Sequence, residues 1–301
     1  MRAGTGARAS GKRHRKASGT ASRPAGRDGG QRRPSLDVGS GVVDIFEDDR
    51  RIADYDVHSA SGAIALGAQL GRSGEARAGV LRRRARAHVG VGPSTLPRLD
   101  VSIGAWVGTL NFDRLDEAHF PHRGFAGGLG AFLARRGLGS DVAYDKLTGD
   151  ASQFFTRGRN TVFMGLSGGT NLGSAIPFYD EFGLGGLFSL SGFREGEIRG
   201  QVYGVSRLGY YRTAGSLSGK KGRSIYLGAW TEAGNAWASA REAGFSSLRH
   251  TGTLGVGLDT FMGPLYLAYG RADGGHDAVY FAVDRSEDRA FSASTTSEDR
   301  G

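Results

Sequence analysis

Three stretches of this chain carry residues whose types and spacing could do covalent chemistry. "GLSGG", Gly165–Gly169, has the G-x-S-x-G form of a nucleophile elbow, with Ser167 as the attacking hydroxyl of an acyl transfer. "DGG", Asp273–Gly275, follows in the order that a serine–aspartate dyad would need. "AGGLGAF", Ala126–Phe132, offers backbone N–H groups of the kind that line an oxyanion hole. An elbow, however, requires strand, sharp turn and helix, with the serine at the apex. After Ser167 comes "GGTNLGS", which cannot start a helix. Before it, alternation of apolar and small residues runs unbroken through the serine. Ser167 is therefore expected in mid-strand, and Asp273 in a hairpin turn. A serine esterase using Ser167 and Asp273 is kept as the weakest alternative, and no catalytic residue is expected.

Other polar groups point to binding. His119 and His122 flank Pro121 at a spacing that a metal site could use, but no third ligand is near in sequence. They are expected as turn or interface residues, and no metal or cofactor is implied. "LRRRARAHV", Leu81–Val89, could meet phosphate; at a strand end it would contact lipid headgroups or lipopolysaccharide. "GLGGLFSLSGFREGEIRG", Gly183–Gly200, sets Arg194, Glu195, Glu197 and Arg199 behind the aromatic turn Ser191-Gly192-Phe193. It is too rich in glycine for a helix and too poor in polar runs for a linker.

Composition limits what could position such groups. Of 301 residues, 52 are glycine and none is cysteine, which removes disulfides, thiolate metal sites and cysteine nucleophiles together. Ten of the 39 Lys and Arg fall in residues 1–35 against one of the 30 acids, leaving 29 of each sign in the rest. The formal charge of +9 thus belongs to that arm, which has no aromatic for base stacking, so no nucleic acid is expected. No apolar run approaches the roughly 18 residues of a spanning helix. The arm also lacks the apolar core of a secretory signal. Residues 1–40 are expected to be a disordered Arg/Gly/Ser-rich arm, 41–291 one folded domain and 292–301 a polar tail.

Within that domain, period-two alternation recurs. "GAIALGAQLG" sets Ile64, Leu66 and Leu70 against small and polar neighbours; "VSIGAWVG" does so with Val101, Ile103, Ala105 and Val107. Val162, Met164 and Leu166, then Leu254, Val256 and Leu258, then Val279, Phe281 and Val283 continue the pattern. One face is aliphatic throughout, and the other is glycine, small polar, aromatic or charged. That combination fits a transmembrane antiparallel β-barrel with a polar, crowded lumen. Aromatic residues near segment ends (Phe154, Phe155, Tyr210, Tyr211, Trp230, Trp237, Tyr266, Tyr269) suit an interfacial girdle. The expected fold is all-β, with about 11 strands, where single-chain bacterial barrels have an even number.

Five segments carry a resemblance to the BamA-like bacterial surface antigen superfamily. "NFDRLDEAHFPHRGFAGGLGAF" is similar to its Leu-Asp … Phe-Pro-x-Arg-Gly strand pair, and "YDEFGLGGLFSLSGFREGEIRG" resembles its sixth extracellular loop, which folds back into the lumen. "YLGAWTEAGNAW", "GVGLDTFMGPLYLAYG" and "AVYFAVD" resemble later strands. "LGGLFSLSGF" and "FEDDRRIADYDV" are most similar to the C-terminal barrels of patatin-like phospholipases, PlpD-like type V secretion proteins. The resemblance implies an outer-membrane protein that anchors or exports an enzyme domain and is not itself an enzyme, the lipase domain being absent here. It implies about sixteen strands, an even number, so the chain is expected to be a truncated fragment, the C-terminal two-thirds of a barrel behind an unrelated leader. The loop motif would comprise Gly185, Gly186, Ser191, Gly192, Phe193 and Arg194, with Arg194 and Arg199 pairing with Glu232 and Asp259. The wider superfamily has arginine where this chain has Ser191, which weighs against the alternative of a stand-alone assembly and insertion factor. Implied partners are outer-membrane lipid and lipopolysaccharide, the barrel assembly machinery and a second copy of the chain.

Overall fold

The structure is a computed structural model that describes residues 31–47, 50–91, 99–216, 224–260 and 263–283, with side chains over 59–86, 100–215, 224–260 and 263–283. Twelve strands form one antiparallel sheet: β1 Gln31–Glu47, β2 Arg50–Leu70, β3 Gly74–Val91, β4 Leu99–Asp113, β5 Gly124–Ala134, β6 Tyr144–Arg157, β7 Asn160–Thr170, and then, past a small hairpin, β10 to β14. The hairpin is β8 Phe182–Leu184 against β9 Ile198–Gly200. The sheet resumes with β10 Val202–Ser216, β11 Ser224–Trp237, β12 Arg249–Thr260, β13 Gly263–Ala272 and β14 Asp277–Val283. Neighbours in the sheet follow chain order except where β7 pairs with β10 across the β8–β9 insertion. Among the described residues β1 and β14 do not pair with each other, so the sheet is not closed. No described helix is long and apolar enough to cross a membrane.

The expected start of the folded domain shifts. Residues 31–40 pair with β2 from Gln31 opposite Gly67 to Ser40 opposite His58. "QRRPSLDVGS" has weak alternation, but backbone hydrogen bonding needs none, and Pro34 is tolerable because β1 is an edge strand. This strand brings the sheet to twelve, against about 11 expected. The expected arm up to residue 30 and the tail at 292–301 lie outside the described residues.

Alternation sorts the faces as expected in most strands. Ile64, Leu66, Val162, Met164, Leu166, Leu254, Val279 and Phe281 are all exposed, the last at 71%. A row of this kind is tolerable where the surrounding medium is hydrocarbon. β4 is reversed. Ile103 and Ala105 are fully buried, while Trp106 is 52% exposed. The cause is tertiary: the β7–β10 connection packs Ile176 and Phe182 against Ile103, Ala105, Phe132, Ala134 and Tyr144. A dry core on the inner face outweighs the pattern of the strand itself.

The girdle is likewise only half outward. Phe155, Tyr210 and Tyr269 are exposed, but their neighbours Phe154 and Tyr211 alternate to the inner face, where Trp230 and Tyr266 also sit.

Connections divide into two ends. Residues 71–73 and 158–159 make tight turns at one end, where 114–123 is the one longer described connection, while 135–143, 171–201 and 238–248 are long connections at the other. Short periplasmic turns and long extracellular loops are the rule for such barrels, so the second end is the extracellular one. Single-tryptophan proteins in bilayers test the face assignment. Trp106 should be quenched strongly by nitroxide-bearing lipid, and Trp230, 9% exposed, only weakly. Equal quenching would contradict it.

Candidate functional site

The β7–β10 connection lies on the inner face of the sheet. Its tip, 185–197, is folded on itself: Gly185 N donates to Ser189 O at 2.7 Å, Gly186 N to Phe193 O at 2.9 Å and Glu197 N to Arg194 O at 3.1 Å. Phe188 and Leu190 both hold φ of 66°, a left-handed conformation costly for residues with a Cβ. Burial keeps them there. Leu190 and Phe193 are fully enclosed in a cluster with Leu184, Ile198, Val205 and Ala272, and Phe188 stacks on Trp230 at 4.8 Å.

One carboxylate binds this tip to the wall. Glu232, on the inner face of β11 and 1% exposed, accepts at Oε2 from Ser191 N at 2.7 Å and Ser191 Oγ at 2.8 Å. Thr251 Oγ1 donates to the same oxygen at 3.2 Å. Arg207 Nε, directly opposite on β10, donates to Oε1 at 3.0 Å. Both carboxylate oxygens are thus satisfied and the charge is matched, as burial demands.

Tyr280 of β14 adds a second contact: its hydroxyl accepts from Gly192 N at 2.7 Å and donates to Phe193 O at 3.1 Å. The approach is close. A Cβ on wall residue Gly270 would lie 2.8 Å from Ser191 Cβ, and one on Gly192, where φ is 111°, would lie 2.8 Å from Ala272 N.

A second anchor holds the start of the connection against β3 and β6. Asp180, 4% exposed, accepts from the Tyr144 hydroxyl and lies 3.4 Å from Arg83 and 3.7 Å from Lys146. Lys146 Nζ also donates to Asp180 O at 2.7 Å and sits over the Phe182 ring. At the base, Gln201 accepts from Ile176 N at 2.7 Å and donates to Ile176 O and Glu181, each at 2.8 Å.

From the turn end, the β4–β5 connection inserts Phe120, stacked on Tyr226 at 4.2 Å and 5.3 Å from Tyr266. The Tyr211 hydroxyl donates to Pro121 O. Tyr266 also meets Phe188, so aromatic side chains from both ends converge on it. Burial acts to raise the Asp116 carboxyl in this connection, but N–H donation from Arg123 and His122 prevails and holds it below the ordinary carboxylate value.

The residues read from sequence divide accordingly. Ser191, Gly192 and Phe193 do meet Glu232 and its strand neighbours. The expected pairing of Arg194 and Arg199 with Glu232 and Asp259 is replaced. Arg194 is exposed, Arg199 donates to Phe178 O at 2.9 Å, and the guanidinium on Glu232 belongs to Arg207. Asp259 stands eight positions along β12 from Thr251, about 26 Å away at strand rise. Ser167 faces inward in mid-β7, opposite Val205. Asp273 caps the turn after β13 by accepting from His250 N at 2.7 Å, four strand spacings or about 19 Å around the sheet. The two form no dyad. His122 Nδ1 lies 3.6 Å from Glu117 in the β4–β5 connection.

A twelve-stranded antiparallel sheet with an inward, wall-bound loop narrows the family, and the sequence match decides it. The pattern of the Omp85 superfamily domain matches residues 31–283. The chain belongs to the Omp85 superfamily. It is accordingly a bacterial outer-membrane β-barrel protein. Outer membrane protein assembly factor BamA of Neisseria meningitidis serogroup B is 28% identical over 159 residues, covering 46% of this Omp85 chain and 20% of that protein. BamA from Haemophilus ducreyi, solved without POTRA domains 1–3, superposes with a TM-score of 0.61 at 16% identity, over 76% of this chain and 53% of that one. CdiB from Escherichia coli superposes at 0.55 and 15% identity, over 84% and 47%. The Omp85 chain thus spans a fifth of its curated relative and about half of these solved neighbours.

The Glu232 cluster makes a testable unit. Arg207→Ala and Glu232→Ala should each destabilise the vesicle-inserted barrel by about 3–5 kcal/mol, since each strands a buried partner. The double variant should cost clearly less than their sum, while Arg194→Ala should stay within about 0.5 kcal/mol. Urea unfolding followed by heat-modifiable gel mobility measures all four. Additive losses would contradict the clamp.

Proposed function

We propose that this Omp85 barrel anchors and exports a polypeptide domain across the outer membrane, with the β7–β10 connection as its plug. The observation that supports this reading most is the manner in which the plug is held. Its tip is bound to the wall through one carboxylate and one tyrosine hydroxyl, a grip that a passing chain could exchange for its own backbone donors. The passenger best matched to the motifs "LGGLFSLSGF" and "FEDDRRIADYDV" is a patatin-like phospholipase domain. The free edges of β1 and β14 would be covered by further barrel strands or a second copy, and the barrel assembly machinery would insert the protein.

A second reading, an assembly factor for other outer-membrane proteins, is favoured by the relative named for that activity. Against it stands Ser191, where the wider superfamily carries arginine.

In planar bilayers the wild-type protein should conduct little, and Glu232→Ala should raise open time roughly tenfold as a clamp worth above 1.4 kcal/mol is lost. A wild type as open as the variant would contradict the plug. Rescue of cells depleted of their own BamA would transfer support to the assembly reading. A patatin-like lipase domain joined ahead of residue 31 should appear as lipase activity on intact cells, and its retention inside would remove the exporting role.

A further inference from the structure

The outer face of β3 carries a feature that neither plug nor passenger uses. Arg82, Arg84 and Arg86 point outward, alternating with inward Leu81, Arg83 and Ala85, and stand opposite Gly104, Ser102 and Asp100 of β4. They lie towards the end of the long connections. Arg82 Nη1 donates to Leu138 O at 2.5 Å, holding the β5–β6 connection over the outer face of β4. Arg84 makes a two-point contact with Asp100, 3.0 Å at each oxygen, and Arg86 reaches the same carboxylate at 3.3 Å. The Arg84 and Arg86 side chains remain 58% and 64% exposed.

Nearby charges do not cancel them. Arg135 is taken by Asp145, and Asp141 accepts from Ser102 N at 2.6 Å. Exposed Arg136 lies two residues before Leu138. Among the residues whose side chains are described, four arginines therefore face two aspartates, Asp100 and Asp141.

Their height follows from the strand below. Trp106, one outward position nearer the turn end than Gly104, is 52% exposed, and Ile64 and Leu66 continue the apolar band at 66% and 57%. An outward tryptophan marks the headgroup boundary. Arg82, Arg84 and Arg86 stand two, four and six residues of tilted strand beyond it, about 5, 10 and 15 Å, a span that runs from the level of lipid phosphate into the headgroup layer. Planar guanidinium forks at that level match phosphate oxygens two at a time. The long connections put this rim in the outer leaflet.

We propose that Arg82, Arg84 and Arg86 bind the phosphate groups of an outer-leaflet lipid, lipopolysaccharide. Asp100 holds the two outer guanidiniums in place until a phosphate competes for them. The test is native mass spectrometry of the purified full chain in detergent with bisphosphorylated lipid A, the same lipid A dephosphorylated, and inorganic phosphate. The wild type should retain the bisphosphorylated lipid at least about tenfold better than the dephosphorylated one, and inorganic phosphate at equal concentration should displace little of it. Arg84→Ala/Arg86→Ala should lose about tenfold, Arg84→Lys/Arg86→Lys less, and Arg157→Ala on the other rim nothing. Equal retention of both lipids by the wild type overturns the proposal whether or not the variants fold. So does undiminished binding by the double alanine variant, or displacement by free phosphate as ready as by lipid.

Discussion

Placing a polypeptide loop on the inside of a membrane barrel is first a problem of unpaired polar groups. The loop brings main-chain N–H and C=O groups into a space with little water, and each left unmatched is costly. Glu232 resolves the most difficult part. Its carboxylate receives the backbone and the side chain of Ser191, and its charge is matched by Arg207 across the strand pair. Once that contact is fixed, the rest follows. Gly270 must lack a side chain, Tyr280 must face inward, and Phe193 is carried into its apolar cluster. Phe188 and Leu190 tolerate an unfavourable backbone because both sides of Ser191 are held.

The connection is gripped at two places of different character. The tip is held by a carboxylate that belongs to the wall; the start is held by Asp180, a carboxylate that belongs to the connection, between Tyr144, Lys146 and Arg83. Around the second grip lies an apolar core, and that core turns β4 inside out relative to its own pattern. The inner face is therefore not a uniform polar lumen. It is largely apolar beside β4 to β6, around the Asp180 ion cluster, ionic beside β10 to β12, and aromatic towards the turn end. Such division suits the plug role proposed for the connection, in which the tip would be released while the start remains docked.

Much of this was legible in the residues themselves. Alternation in β2, β7, β12 and β14 assigned the outward face because hydrocarbon demands it of every outward side chain. The glycine-hinged, charged loop was recognisable because few other structures need that mixture. What was not legible depended on partners distant in sequence. Arg207 and Glu232 are 25 residues apart yet directly opposite, and only the register of β10 on β11 shows it. Arg194, nearer in sequence to Ser191, was the natural but mistaken choice. No local pattern announces that Tyr144, Lys146 and Arg83 converge on Asp180, and β4 could be read only with Ile176 and Phe182 in place. The apparent nucleophile Ser167 was correctly placed within a strand, since unbroken alternation leaves no room for an elbow.

Hydrogen–deuterium exchange of the bilayer-inserted protein tests the central claim most directly, because Ser191 N–H is itself the bond in question. Ser191 and Gly192 should exchange orders of magnitude more slowly than exposed 240–246, and in Glu232→Ala that protection should collapse while the amides of β10 and β12 keep theirs. Rapid exchange at Ser191 in the wild type, or protection unchanged by loss of the carboxylate, would contradict the account.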